Sequence, residues 1–268
     1  MTEKTGVFVR VSRAWPVTIG LHVFQCLFAA TFALPFVQSV SVPGVLLRPQ
    51  VAEWVGILRL VDGLDQGAGR RALLPLALAA LNYPWLSVVW LRALSEEAPF
   101  TEHAQFALGR YRAAIGMAAA VVVGLAACVV ASALAASAVR AAFAAVLDER
   151  ALDLSSLACF LPALVGAVWL ATVQDAGYAA ISGNLRGWRE IGRAALSGAK
   201  VRLVGLRALM LFGQITLTLA AWAIPRFTLG PGTAADFVVL VTTQAAAFVI
   251  TCLRAVWLAY VLEAPRQP

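Results

Sequence analysis

The chain has 268 residues, 61% of them hydrophobic and 13% charged, with 21 Lys and Arg against 14 Asp and Glu. A soluble domain carries about 25% charged residues, so this chain has too little polar surface to cover its apolar content in water, and a soluble globule is excluded. The net charge of +7 then reads as a membrane-orientation signal and not as a nucleic-acid footprint.

An apolar helix needs about 20 residues to cross the hydrocarbon. That length selects six spans, Ala14–Val40, Ala72–Leu94, Ala113–Ala138, Ser155–Asp175, Leu203–Ile224 and Phe237–Leu262. The expected fold is an all-α integral membrane protein: one membrane domain, 1–268, forming a six-transmembrane-helix bundle. Lys4, Arg10 and Arg13 precede the first span as they would a signal peptide. Its apolar core is longer than an h-region of about 7–15 residues, so it is expected to stay. Six spans put both termini on one side, which holds fourteen basic residues and seven acids, whereas the other side holds seven of each. The basic excess makes that side cytoplasmic and points to a bacterial inner membrane with both termini inside.

Within the first span, His22 and Gln25 lie one turn apart. The outer connection after it spaces Val51, Trp54, Val55, Leu58 and Val61 as one apolar helical face, which predicts an amphipathic helix on the membrane surface. "NYPW", Asn82 to Trp85, sits inside the second span. Pro84 removes a backbone donor there, so a kink is expected, with Asn82 near the released carbonyl. That span ends in "VVWLRALSEE", Val88 to Glu97.

The same pattern closes the fourth and sixth spans as "AVWLATVQDA" (Ala167–Ala176) and "AVWLAYVLEA" (Ala255–Ala264), which agree at seven of ten positions. Trp90, Trp169 and Trp257 are each followed six residues later by an acid: Glu96, Asp175 and Glu263. Trp favours the headgroup level and the acid favours water, so the six residues are expected to be interfacial anchors. The odd spans carry matching basic pairs, Arg10 and Arg13, Arg110 and Arg112, Lys200 and Arg202. Together these predict three tandem helical hairpins, 1–100, 101–180 and 181–268. Mitochondrial carriers also use three hairpins, but their Pro-x-acid-x-x-base signature is absent here. Neither Pro16 nor Pro35 is followed by the required charges.

The third span carries Gly116, Ala120, Gly124, Cys128, Ser132 and Ala136 at every fourth position. A ridge of small residues lets backbones approach closely, at the bundle centre or at an oligomer contact. The inner connection Asn184–Arg202 is basic and amphipathic. Arg186, Arg189 and Arg193 form a stripe, with Leu185, Trp188, Ala195 and Leu196 as the apolar side. Arg186, Trp188, Arg189 and Arg193 are the candidates for docking anionic lipid headgroups or a protein partner.

Ionisable and amide groups inside spans are costly and so are functional candidates. Arg254, three residues before Trp257, is the charge that the repeat does not explain. His22, Gln25, Asn82, Gln214, Gln244 and Arg254 make up a candidate polar cavity. The four cysteines lie in apolar stretches without a C-x-x-C pair, so neither a metal nor any other cofactor is expected. No P-loop, H-E-x-x-H or G-x-S-x-G occurs, so no enzyme is expected. What remains is a permease-like transport component for a small or anionic amphiphile, or a non-catalytic scaffold or accessory subunit of a membrane complex. Its partners would be the lipid bilayer, a further protein or a second copy, and not nucleic acid.

Overall fold

The structure is a computed structural model that describes residues 6–24, 26–27, 68–229 and 233–263. Every regular element among these residues is an α-helix. A short α1 (Val7–Arg13) precedes α2 (Trp15–Phe24). After α3 (Ala68–Ser95), a short α4 (Phe100–Gly109) leads into the 33-residue α5 (Tyr111–Phe143). Next, α6 (Glu149–Ala158) joins α7 (Leu161–Ser182). Finally a short α8 (Trp188–Gly198) leads into α9 (Val201–Leu229), and α10 (Thr233–Glu263) follows.

Four stretches are long and apolar enough to cross a bilayer: Tyr111–Phe143, Glu149–Ser182, Val201–Leu229 and Phe237–Glu263. The chain is a helical membrane protein on that ground. Large apolar side chains such as Val122, Leu134, Leu164 and Leu209 stand exposed on these helices, as surfaces solvated by lipid do. At 1.5 Å per residue α5 is about 50 Å long, well beyond a hydrocarbon core of about 30 Å.

The helices gather into two compact units, Met1–Leu86 with Phe212–Trp257, and Ser87–Leu211 with Leu258–Pro268. Three sequence expectations lie outside the described residues: Gln25, the first span beyond residue 27, and the Val51–Val61 amphipathic helix. Pro84 lies within α3 and does not interrupt its helical run.

The second unit is organised by α5 and α7. A methyl group added at Gly177 would come within 2.6 Å of Met117 Cε, one at Gly124 within 3.2 Å of Leu170, and one at Gly166 within 3.1 Å of Cys128 Sγ. These pairs advance along α5 as they retreat along α7, so the helices are antiparallel neighbours and the absent side chains set their separation. Gly124 and Cys128 of the expected ridge thus pack against α7 of the same chain. Ser132 and Ala136 are buried further along, while Ala120 is exposed. At the far end of the pair, Arg140 ion-pairs with Asp153, and its Nε donates to Ser156 Oγ at 3.0 Å. Asp148 caps α6 by accepting from the Ala151 N–H at 2.8 Å.

The fourth expected span, Ser155–Asp175, is displaced along the chain. The helix turns at Cys159–Phe160 and restarts at Leu161 with Pro162 in its first turn, where a missing N–H costs nothing. It then continues past Asp175 because Tyr178, Ile181 and Ser182 are buried against the unit's interior. It ends in a Schellman turn: Leu185 N–H donates to Ala180 O at 3.2 Å and Asn184 N–H to Ile181 O at 3.1 Å. Asn184 takes the left-handed conformation this turn demands, with φ 74°. Asn184→Ala is expected to cost about 1–2 kcal/mol, while Asn184→Gly keeps the turn. Thermal unfolding in detergent compares the two, and equal losses would contradict the assignment.

Candidate functional site

In the first unit, Trp15 and His22 of α2 and Cys26, two residues past its end, meet Gln244, Phe248 and Thr251 of α10. The spacings, seven then four on one helix and four then three on the other, place each set on one helical face. The edge of the Phe248 ring meets both His22, with centroids 5.1 Å apart, and Trp15, at 5.8 Å. Thr251 is buried, and its hydroxyl donates to Ala247 O at 3.0 Å, as helical Thr commonly does. It therefore accepts from His22 Nδ1–H, 3.2 Å away. The other ring nitrogen, Nε2, faces Cys26 Sγ at 3.6 Å. The same thiol lies 3.5 Å from Gln244 Oε1. Among the polar members of this cluster, Cys26 and Thr251 are those that the sequence did not single out as cavity residues. Their signal was present in the i, i+4 step from His22 and the i, i+7 step from Gln244.

The rest of the expected cavity set is placed separately. Arg254 lies one turn beyond Thr251, and its Nη2 donates to Tyr83 Oη at 3.3 Å. Asn82 is exposed beside Tyr83. Gln214 is half-buried on α9, and no side-chain contact joins it to the His22 cluster among the described residues. Among the same residues, no three His, Cys, Asp or Glu side chains are arranged to hold a metal.

The anchor motif needs correction at three positions. Trp90 and Trp257 are 5% and 1% exposed, so they are interior side chains and not ones bathed in headgroups. Only Trp169, at 40%, offers its ring outward. Asp175 does not stand in water: it is 2% exposed, and its Oδ2 lies 3.8 Å from Nη2 of Arg207, which is also buried. The physical reason is the length of α7, which places Asp175 two turns before the helix end. Glu96 keeps an exposed carboxylate, paired with Arg92, and Glu263 is half-buried.

One end of the second unit brings together Arg92 and Arg110. α7 has no basic residue in its last turn, yet Arg92 Nη1 donates to the Ser182 carbonyl at 3.0 Å and the Arg110 guanidinium donates to Asn184 Oδ1. Both charges oppose the negative end of the α7 dipole. Arg92 also lies over the Phe106 ring, 4.3 Å from its centroid. His103 on α4 is buried there, and burial first, then the Arg92 charge, hold its pKa below the usual imidazole value. Burial first, then the Arg186 charge, lower that of Arg110.

The inner amphipathic segment forms α8, but its buried anchors are Ile191 and Ala195. Leu196, expected on the apolar side, is exposed beside the basic stripe, and Ile191 was the missed anchor. Arg186, Arg189 and Arg193 are exposed, the last two on the side of α8 opposite Ile191. The Trp188 ring lies against Gly116, where a side chain would collide with it. Comparison with protein-family models, with curated proteins and with solved structures finds no match.

Proposed function

We propose that this protein is a permease-like, multi-pass transport component for a small or anionic amphiphilic molecule, built as a six-span bundle of three tandem hairpins. The observation that carries the reading is the convergence of His22, Cys26, Gln244 and Thr251 from opposite ends of the chain. Interhelical hydrogen bonds in membranes average only about 0.6 kcal/mol. Stability alone therefore gives little reason to place an imidazole, a thiol, an amide and a hydroxyl together between apolar helices. Arg254, one turn further along α10, supplies the positive charge that an anionic headgroup or carboxylate would meet. The proposal assigns binding and passage to this surface, and no catalytic step.

Support for the repeat comes from the short helices. α1, α4 and α8 each end one or two residues before a longer helix begins, and each buries a residue in its last turns, Arg10, Ala107 and Ala195. Three basic pairs mark the same junctions. The charge bias supports a topology with those junctions and both termini on the cytoplasmic face of a bacterial inner membrane. The scaffold alternative loses its best surface, since Gly124 and Cys128 of the ridge are occupied within the chain.

The test is the water accessibility of Cys26. With Cys128, Cys159 and Cys252 changed to Ser, a charged thiosulfonate reagent should label Cys26 in membrane vesicles, and a long-chain alkyl sulfate should slow the labelling several-fold. Labelling by lipophilic maleimides alone would leave the cluster as helix–helix glue and remove the transport reading.

A further inference from the structure

We infer that Arg110 and Arg186 form a binding site for the phosphate of an anionic phospholipid headgroup, continued outward by Arg189 and Arg193 of α8. The inference rests on the membrane character of the chain and is independent of the transport reading.

The geometry begins with the antiparallel α5–α7 pair, which puts the first residue of α5 and the last turn of α7 at the same end. Arg110 precedes α5 and donates to Asn184, just past α7. The left-handed Asn184 then turns the chain, and Arg186 follows two residues after the side chain that Arg110 contacts. Trp188 pins this loop by lying against Gly116, one to two turns into α5. Because α7 and α9 are membrane-spanning in character, the loop and α8 between them are held at the level where a span meets the headgroups.

The charges at this corner call for an anion. Each guanidinium presents five N–H donors in a rigid fork, and Asn184 takes one contact from Arg110. The Arg186 charge disfavours protonation of Arg110, a like-charge cost that a shared phosphate removes. The acid of α8, Glu190, turns its carboxylate toward Gly187, and no ion pair joins it to these arginines among the described residues. Arg189 and Arg193 point away from the buried Ile191 and stay exposed, so they extend the site along the membrane plane. A phospholipid fits better than a free phosphate because exposed Leu196 flanks the stripe and offers its acyl region an apolar neighbour.

The experiment uses the full chain purified in a neutral detergent. It is mixed with phosphatidylglycerol, with phosphatidylcholine, or with inorganic phosphate at equal concentration, and bound lipid is counted by native mass spectrometry. The wild type should retain phosphatidylglycerol at least tenfold over phosphatidylcholine, lose that preference at high salt, and gain little thermal stability from inorganic phosphate. Arg110→Gln with Arg186→Gln should bring the two lipids near parity, while Arg112→Gln, an exposed arginine at the same corner, should keep the preference. Should the double variant not fold, Arg186→Gln alone should lower the preference at least threefold, since Arg186 is exposed and no hydrogen bond or ion pair ties its side chain to the chain among the described residues. A wild type indifferent to phosphatidylglycerol overturns the site, and so does an Arg186→Gln protein with unchanged preference. Equal stabilisation by inorganic phosphate overturns the lipid assignment.

Discussion

Asp175→Ala is expected to lower stability by about 3–5 kcal/mol, the usual cost of taking one partner from a buried ion pair. Asp175 is 2% exposed and faces Arg207 across 3.8 Å, between two helices long and apolar enough to span a membrane. Removing the carboxylate leaves a guanidinium, always charged at neutral pH, in a low-dielectric interior. Replacing both residues, Asp175→Leu with Arg207→Met, removes the charge together with its counter-ion and should recover most of the loss. Thermal and denaturant unfolding in detergent would measure all three proteins. A single variant within about 1 kcal/mol of wild type, the range of exposed ion pairs, would show that the pair is solvated after all.

Arg92→Met is expected to cost about 2–4 kcal/mol, combining a charged hydrogen bond to the Ser182 carbonyl with the loss of a cation over Phe106. It also carries a pH signature through His103. Burial is the main cause of that residue's lowered pKa and Arg92 the second, with Glu96 and Glu102 acting in the opposite sense. Above the ordinary value of 6.5 the imidazole is neutral in both folded and unfolded chains. As pH falls below it the unfolded chain binds a proton first, so stability is lost until the lower folded pKa is passed. Arg92→Met removes one of the lowering causes and narrows that window, so its melting temperature should fall less between pH 7 and 5 than that of wild type. His103→Gln should remove this component altogether. Identical pH slopes for wild type and both variants would show that His103 does not report on this corner.

Hydropathy was enough to recognise the four long apolar helices that match the third to sixth expected spans, because lipid imposes long apolar runs. The helix ends were less legible. Asp175 marked the end of a hydropathic window, but small and aromatic residues beyond it bury themselves and carry α7 to Ser182. Trp90 and Trp257 follow the pattern of headgroup anchors in sequence and are interior in the fold, since an indole suits either site and only packing decides. Half of the polar set was legible: His22 and Gln244 meet, joined by a cysteine and a threonine that look unremarkable in an apolar chain. The Arg110–Asn184 contact had no sequence signal, because it depends on α5 and α7 running antiparallel in one register.

That register also limits how the protein can move. Met117 seats over Gly177, Leu170 over Gly124 and Cys128 over Gly166, three side-chain-on-glycine steps along one seam. A slide of one helix past the other would have to unseat all three at once, and close-packed interiors resist such continuous deformation. The α5–α7 pair is therefore built as a rigid strut, in which a displacement of one helix would carry the other with it.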